Sequence, residues 1–259
     1  MKLTYLLVLF VIVLAFMVAA CQTSVDTGVN IQVGSNSTSS GKGRAVIAIT
    51  DAAANMESVS SLKITVDDVR VHSATEGWVT LSSTPKTYDL LKLNAEGKQE
   101  LLADAQLKHG TYDQMRLDIS HVVVTDANGA HEAKLPSGQL RVNSKFVVDS
   151  DATSTATFDF KAYESLHKTG EGNGKYILAP VMQVETREKA EVYVNNNNQV
   201  DISGGSVNSN IKVGMDIDGN VDAGLEIPAD SNLTIDTNGM VKIGKSSGNL
   251  GIGVGASSE

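Results

Sequence analysis

The chain has 259 residues, 21 Lys+Arg against 30 Asp+Glu for a formal net charge of −9, and one cysteine. That length supports one large or two small domains, each burying its own core. The acidic balance argues against nucleic acid as a partner, and a single cysteine excludes an intrachain disulfide.

The chain opens with a short positive region at Lys2, an apolar run from Leu6 to Met17, and Val18-Ala19-Ala20-Cys21. This is the pattern of a signal peptide over residues 1–20. The Val-Ala-Ala-Cys ending resembles the bacterial lipobox, so Cys21 is expected to carry palmitate or a similar acyl chain as the first mature residue. Leu3 to Ala20 is near the minimum for a membrane span, but no basic stop-transfer cluster follows it. The expectation is an exported protein whose membrane contact is the lipid on Cys21. Gln22 lacks the character of an inner-membrane retention signal. The outer membrane is therefore favoured in a cell with two membranes, and the cell membrane in a cell with one. Residues 21–42 are rich in Ser, Thr, Asn and Gly and form a tether.

From Gly43 the apolar residues recur with period two, the mark of half-buried strands. Ala45 to Ile49 reads as a buried strand. Leu62, Ile64 and Val66 give way to Val69 and Val71 with a slip of one residue at Asp67-Asp68, as a β-bulge produces. Gly77 to Leu81 and Tyr88 to Leu91 read as short strands, and Lys98 to Leu107 has helical composition. Met115, Leu117 and Ile119 begin a strand that runs through Val122 to Val124 into the turn Asp126-Ala127-Asn128-Gly129. Ala156, Phe158 and Phe160 alternate again, Lys161 to Lys168 suits a short helix, and Tyr176 to Val184 is a strand interrupted by Pro180. Many short strands point to a β-sandwich, immunoglobulin-like or prealbumin-like, over residues 43–187.

Beyond Glu188 nearly every apolar residue from Val207 to Ile243 is odd-numbered. A three-residue loop Asp218-Gly219-Asn220 would pair Ile217 with Val221 and keep that face together. The same logic pairs Val194 with Val200 and Ile235 with Val241. Residues 188–259 therefore read as a β-hairpin repeat region, a meander or short β-solenoid.

Residues 43 to about 185 resemble the domain of unknown function 4382 family of bacterial and archaeal lipoproteins. The resemblance rests on Ala48-Ile49-Thr50-Asp51-Ala52, Val69-Arg70-Val71-His72, Gly77-Trp78-Val79 and Tyr88-Asp89-Leu90-Leu91. It continues through Gly110 to Leu117, Leu135-Pro136-Ser137-Gly138, Phe158-Asp159-Phe160 and Leu178-Ala179-Pro180-Val181. It implies a β-sandwich on a lipid-anchored surface protein, and no activity.

Catalytic patterns are weak. No Gly-x-Ser-x-Gly elbow occurs, and Ser60 to Lys63 and Ser83 to Lys86 match Ser-x-x-Lys at chance level. The five histidines lack zinc spacing. Asp216, Asp218, Asn220 and Asp222 form an alternating oxygen-ligand run that would suit calcium if Asp216 and Asp222 faced each other, but an EF-hand places its Gly and Glu elsewhere. Trp78 is a candidate sugar-binding ring, although a core position is the commoner use of a tryptophan. Arg116 and Asp118 suit a cross-strand ion pair. The expected function is non-catalytic binding or structure at the cell surface, with a glycan or a surface protein as partner and no cofactor beyond calcium. The alternative is a surface hydrolase or carbohydrate-processing accessory protein with an acid/base pair drawn from distant carboxylates.

Overall fold

Two β-sheets share one hydrophobic core in the computed structural model, which describes residues 41–52, 56, 58–169, 175–228 and 231–243. The expected signal peptide, Cys21 and the expected tether up to residue 40 lie outside the described residues.

In chain order the strands are β1 (Lys42–Asp51), β2 (Val59–Ser73), β3 (Gly77–Ser82), β4 (Lys86–Asp89), β5 (Glu100–Lys108) and β6 (Gly110–Asp126). They continue with β7 (Gly129–Lys134), β8 (Gln139–Val148), β9 (Thr153–Phe160), β10 (Leu166–Lys168), β11 (Tyr176–Leu178) and β12 (Val181–Val194). β13 (Val200–Met215), β14 (Val221–Ala223), β15 (Leu233–Ile235) and β16 (Val241–Ile243) complete the set. The first sheet runs β14-β13-β12-β9-β1-β5. The second runs β10-β11-β7-β6-β2-β3, with β4 also on β2 and β8 also on β6. β15 and β16 pair with each other.

Period-two patterning builds the shared core. Leu62, Ile64, Val66, Val69 and Val71 of β2 and Met115, Leu117 and Ile119 of β6 meet Ile47, Ile49, Phe158 and Phe160 of the opposite sheet. The register of β2 against β6 shifts around Asp67, which realises the expected bulge and keeps both halves of β2 facing inward. At Pro180 the chain leaves the second sheet with β11 and enters the first with β12, so the proline marks a change of sheet.

Three expected elements are corrected. Lys98 to Leu107 is mostly strand β5, because pairing with the edge of β1 outweighs its helix-favouring composition. Leu90 and Leu91 open a short helix, α1 (Leu90–Glu96), where Asp89 accepts a hydrogen bond from Lys92 N. Lys161 to Lys168 holds a single helical turn, α2 (Ala162–Ser165), before β10. Strand β8 has no counterpart among the expected elements, although Leu140, Val142, Phe146 and Val148 alternate with Arg141, Asn143 and Lys145.

The residue 187/188 boundary falls inside β12, which pairs with β9 on one side and β13 on the other. Beyond Arg187 the β12–β13 hairpin bends, with positive φ at Lys189, Gly204 and Gly205. Val192, Val194, Val200 and Ile202 of this arm cover Val46 and Ala48 on the outer face of β1. The tip is fixed by Leu101 N to Asn198 O at 2.8 Å and Val200 N to Gln99 O at 2.9 Å.

Three hairpin loops repeat one geometry: Asn195–Gln199, Asp216–Asn220 and Asp236–Met240. In each, the first side chain accepts from the backbone N–H groups of the third and fifth residues, at 2.8 to 3.0 Å. The fourth residue has φ between 59° and 82° (Asn198, Gly219, Gly239), a conformation that Gly and Asn adopt cheaply. Val194 pairs with Val200 and Ile235 with Val241 as expected. The middle hairpin is corrected: Met215, not Ile217, pairs with Val221, because the loop closes between Asp216 and Asn220, as the other two close between their first and fifth residues.

Candidate binding face

The outward side chains of β2, β3, β6 and β8 make one open polar surface on the second sheet. Trp78 and Thr80 on β3 point outward while Val79 and Leu81 pack toward the core. On β2, Val69 and Val71 turn inward and leave Arg70 and His72 outside. Met115 and Leu117 do the same for Gln114 and Arg116, and Leu140 and Val142 for Arg141 and Asn143. Alternation alone puts these residues on the surface.

Strand register then arranges them in rows. Thr80 lies opposite Arg70, Arg70 opposite Arg116, and Arg116 opposite Arg141, which makes three arginines in line across the sheet. The next row is Trp78, His72, Gln114 and Asn143. On the other side Asp68 lies opposite Asp118 and Asp118 opposite Gln139. Arg70 Nη2 bonds Asp68 Oδ2 at 2.9 Å and Arg116 Nη2 bonds Asp118 Oδ2 at 2.8 Å. Arg116 and Asp118 thus pair along one strand, which corrects the cross-strand pairing.

Trp78 lies over this surface and keeps 38% of its area exposed, so the expectation of a core position is corrected. The guanidinium carbons of Arg116 and Arg141 stand 5.6 Å and 5.7 Å from the ring centroid, within cation–π range. The His72 ring centre is 5.1 Å away at a tilt of 55°, and Asp113 fixes that histidine through Nδ1 at 2.8 Å. Among the described residues Arg141 has no carboxylate partner, and the buried Nε atoms of Arg70 and Arg116 have no acceptor. The sequence carried part of this signal, because Trp78 shares its parity with Thr80 and each arginine lies between two core residues. The alignment of the arginines depends on register, which parity alone does not reveal.

The other candidate residues lie elsewhere. Asp216 Oδ1 accepts from Asp218 N and Asn220 N, and its Oδ2 from Asn220 Nδ2 at 2.9 Å. Burial pushes its carboxyl up, but these donors together hold it below the usual carboxylate range. Asp222 pairs opposite Gly214 and bonds Ala223 N, so the supposed facing of Asp216 and Asp222 is corrected. Among the described residues no group of three or more His, Cys, Asp or Glu side chains is placed to hold a metal ion.

The first sheet's outer face has its own concavity of about 390 Å³ beside the arm, lined by Asp159, Glu185, Gln99, Gln183 and Asn210. Its carboxylates are tied to neighbouring bases, Asp159 to Lys161 at 2.7 Å and Glu185 to Arg187 at 2.6 Å.

The residues that carried the family resemblance are largely engaged in the fold. Asp51 Oδ1 accepts from Ala162 N at 2.9 Å, Asp89 caps α1 and accepts from Ser61 Oγ at 2.7 Å, and Tyr88 Oη donates to Leu101 O at 2.8 Å. No curated protein and no solved structure matches the chain. A family model described as Domain of unknown function (DUF4382) matches residues 42–180. Strands β12, β13 and β14, half of the six-stranded sheet, follow the matched segment. With more than half of its length under that model, the chain belongs to the DUF4382 family.

Proposed function

We propose that this is an exported lipoprotein, anchored by acylated Cys21, that binds a saccharide without catalysis on the outer face of its second sheet. The lipobox-like Val18-Ala19-Ala20-Cys21 and the Ser-, Thr-, Asn- and Gly-rich sequence that follows it support the anchor. The observation that carries the binding role is the open position of Trp78, the sole tryptophan, braced by His72, Arg116 and Arg141. A partly exposed flat ring beside polar groups suits stacking against the C–H side of a sugar ring.

The test uses the full chain in mild detergent on a glycan array. Saturable binding to at least one glycan class, abolished by Trp78→Ala with unchanged melting temperature, is expected. Binding that ignores Trp78→Ala would reject the assignment. Cys21→Ser is expected to release the protein from the membrane fraction. The hydrolase alternative draws on Asp159 and Glu185, which share one concavity. It predicts glycan cleavage that disappears in Asp159→Asn or Glu185→Gln.

A further inference from the structure

We infer that the saccharide bound at Trp78 is acidic, a uronate-containing polysaccharide whose carboxylates are read by Arg141 and by the arginine row behind it. The inference rests on the binding role just proposed and adds the ligand's chemical class.

Like charges placed directly opposite on neighbouring strands repel. Arg70, Arg116 and Arg141 nevertheless stand in one row across β2, β6 and β8, on a chain whose net charge is −9. Asp68 and Asp118 neutralise two of the three, and they do so from one side, each through a single Nη2 atom. Arg141 is exposed, and among the described residues the Trp78 ring is its one side-chain partner. Arg141 therefore keeps an uncompensated positive charge and free N–H donors at the surface. An added anion satisfies both.

The geometry selects the kind of anion. A guanidinium is planar and grips a carboxylate through two parallel hydrogen bonds. Trp78 lies within reach of the same guanidinium, so one sugar can place its ring on the indole and its carboxylate on Arg141. Gln114, Gln139 and Asn143 flank the row with amide groups suited to hydroxyls.

The experiment measures binding of the full chain in mild detergent to polygalacturonate, dextran and dextran sulfate at low and high salt. Polygalacturonate is expected to bind saturably and dextran not at all. Arg141→Gln should weaken binding about 10- to 100-fold, the worth of a charge-assisted hydrogen-bond pair. Arg141→Lys should recover only part of it, because an ammonium cannot make the paired bonds. Lys63→Gln, on the same face of β2, should leave affinity and melting temperature unchanged. Binding of dextran that needs Trp78 but ignores Arg141 would overturn the acidic assignment and leave saccharide binding standing. Preference for dextran sulfate would overturn the carboxylate. Equal losses in Lys63→Gln and Arg141→Gln would reduce the effect to diffuse charge and overturn the site. Binding of none of the three polymers would overturn the inference, and the glycan array then decides the parent reading.

Discussion

Asp51→Asn should stabilise the protein, and only above mildly acidic pH. Asp51 ends β1 with 5% of its surface exposed. Its Oδ1 accepts from Ala162 N, while its buried Oδ2 has no partner. Burial, despite the Ala162 N–H and with help from nearby Asp159, pushes its carboxyl from 3.8 up to about 7. The folded state therefore holds this proton more tightly than the unfolded chain. Ionisation costs nothing below about pH 4, an increasing amount between pH 4 and 7, and a constant amount above. Every tenfold gain in proton affinity on folding corresponds to about 1.4 kcal/mol, and partial solvation of the site reduces the sum to about 2 kcal/mol at pH 8. Asparagine keeps the oxygen that Ala162 needs and cannot ionise. Chemical denaturation at pH 4, 6 and 8 should show no difference at pH 4 and about 2 kcal/mol in favour of the variant at pH 8. A pH-independent difference, or a less stable variant at pH 8, would refute the reasoning.

The repeated loops make a second set of expectations. Asp216→Ala removes the acceptor for two backbone N–H groups and should cost about 1 kcal/mol in denaturant titration. The Asp216 carboxyl is depressed, so its contribution should be full above pH 4 and fade as acid protonates it. Gly239→Val forces a β-branched residue to a φ of 76° and should cost about 1–2 kcal/mol, seen as a lowered denaturation midpoint. Because Asp216 is already satisfied by its own loop, excess chelator should leave the melting temperature unchanged; a fall would restore calcium at the Asp216–Asp222 run. Trp78 is the only tryptophan, so native emission should be red-shifted and readily quenched by acrylamide, and polygalacturonate should protect it. Blue-shifted, protected emission without ligand would place the ring in a core.

Period-two alternation was enough to find most strands, the bulge at Asp67, the turn at Asp126 and the outward placing of Arg116. Each follows from which neighbours are apolar, a local property of the chain. A core position was the commoner expectation for Trp78, whereas the structure places it outside. Helix propensity misled at Lys98 to Leu107, because an edge position on β1 is not visible in composition. The loop at Asp216 differed from expectation because it closes between Asp216 and Asn220, one residue earlier than assumed, and pairing Met215 with Val221 keeps the odd-numbered face together just as well, so parity could not choose between the two registers. Pairing decided the rest. The arginine row, the bracing of Trp78 and the arm over Val46 and Ala48 bring together residues far apart in sequence, such as Val46 and Val200, 154 positions apart. Alternation fixes the face on which a side chain lies, but register fixes its neighbours, and register is set only when whole strands dock.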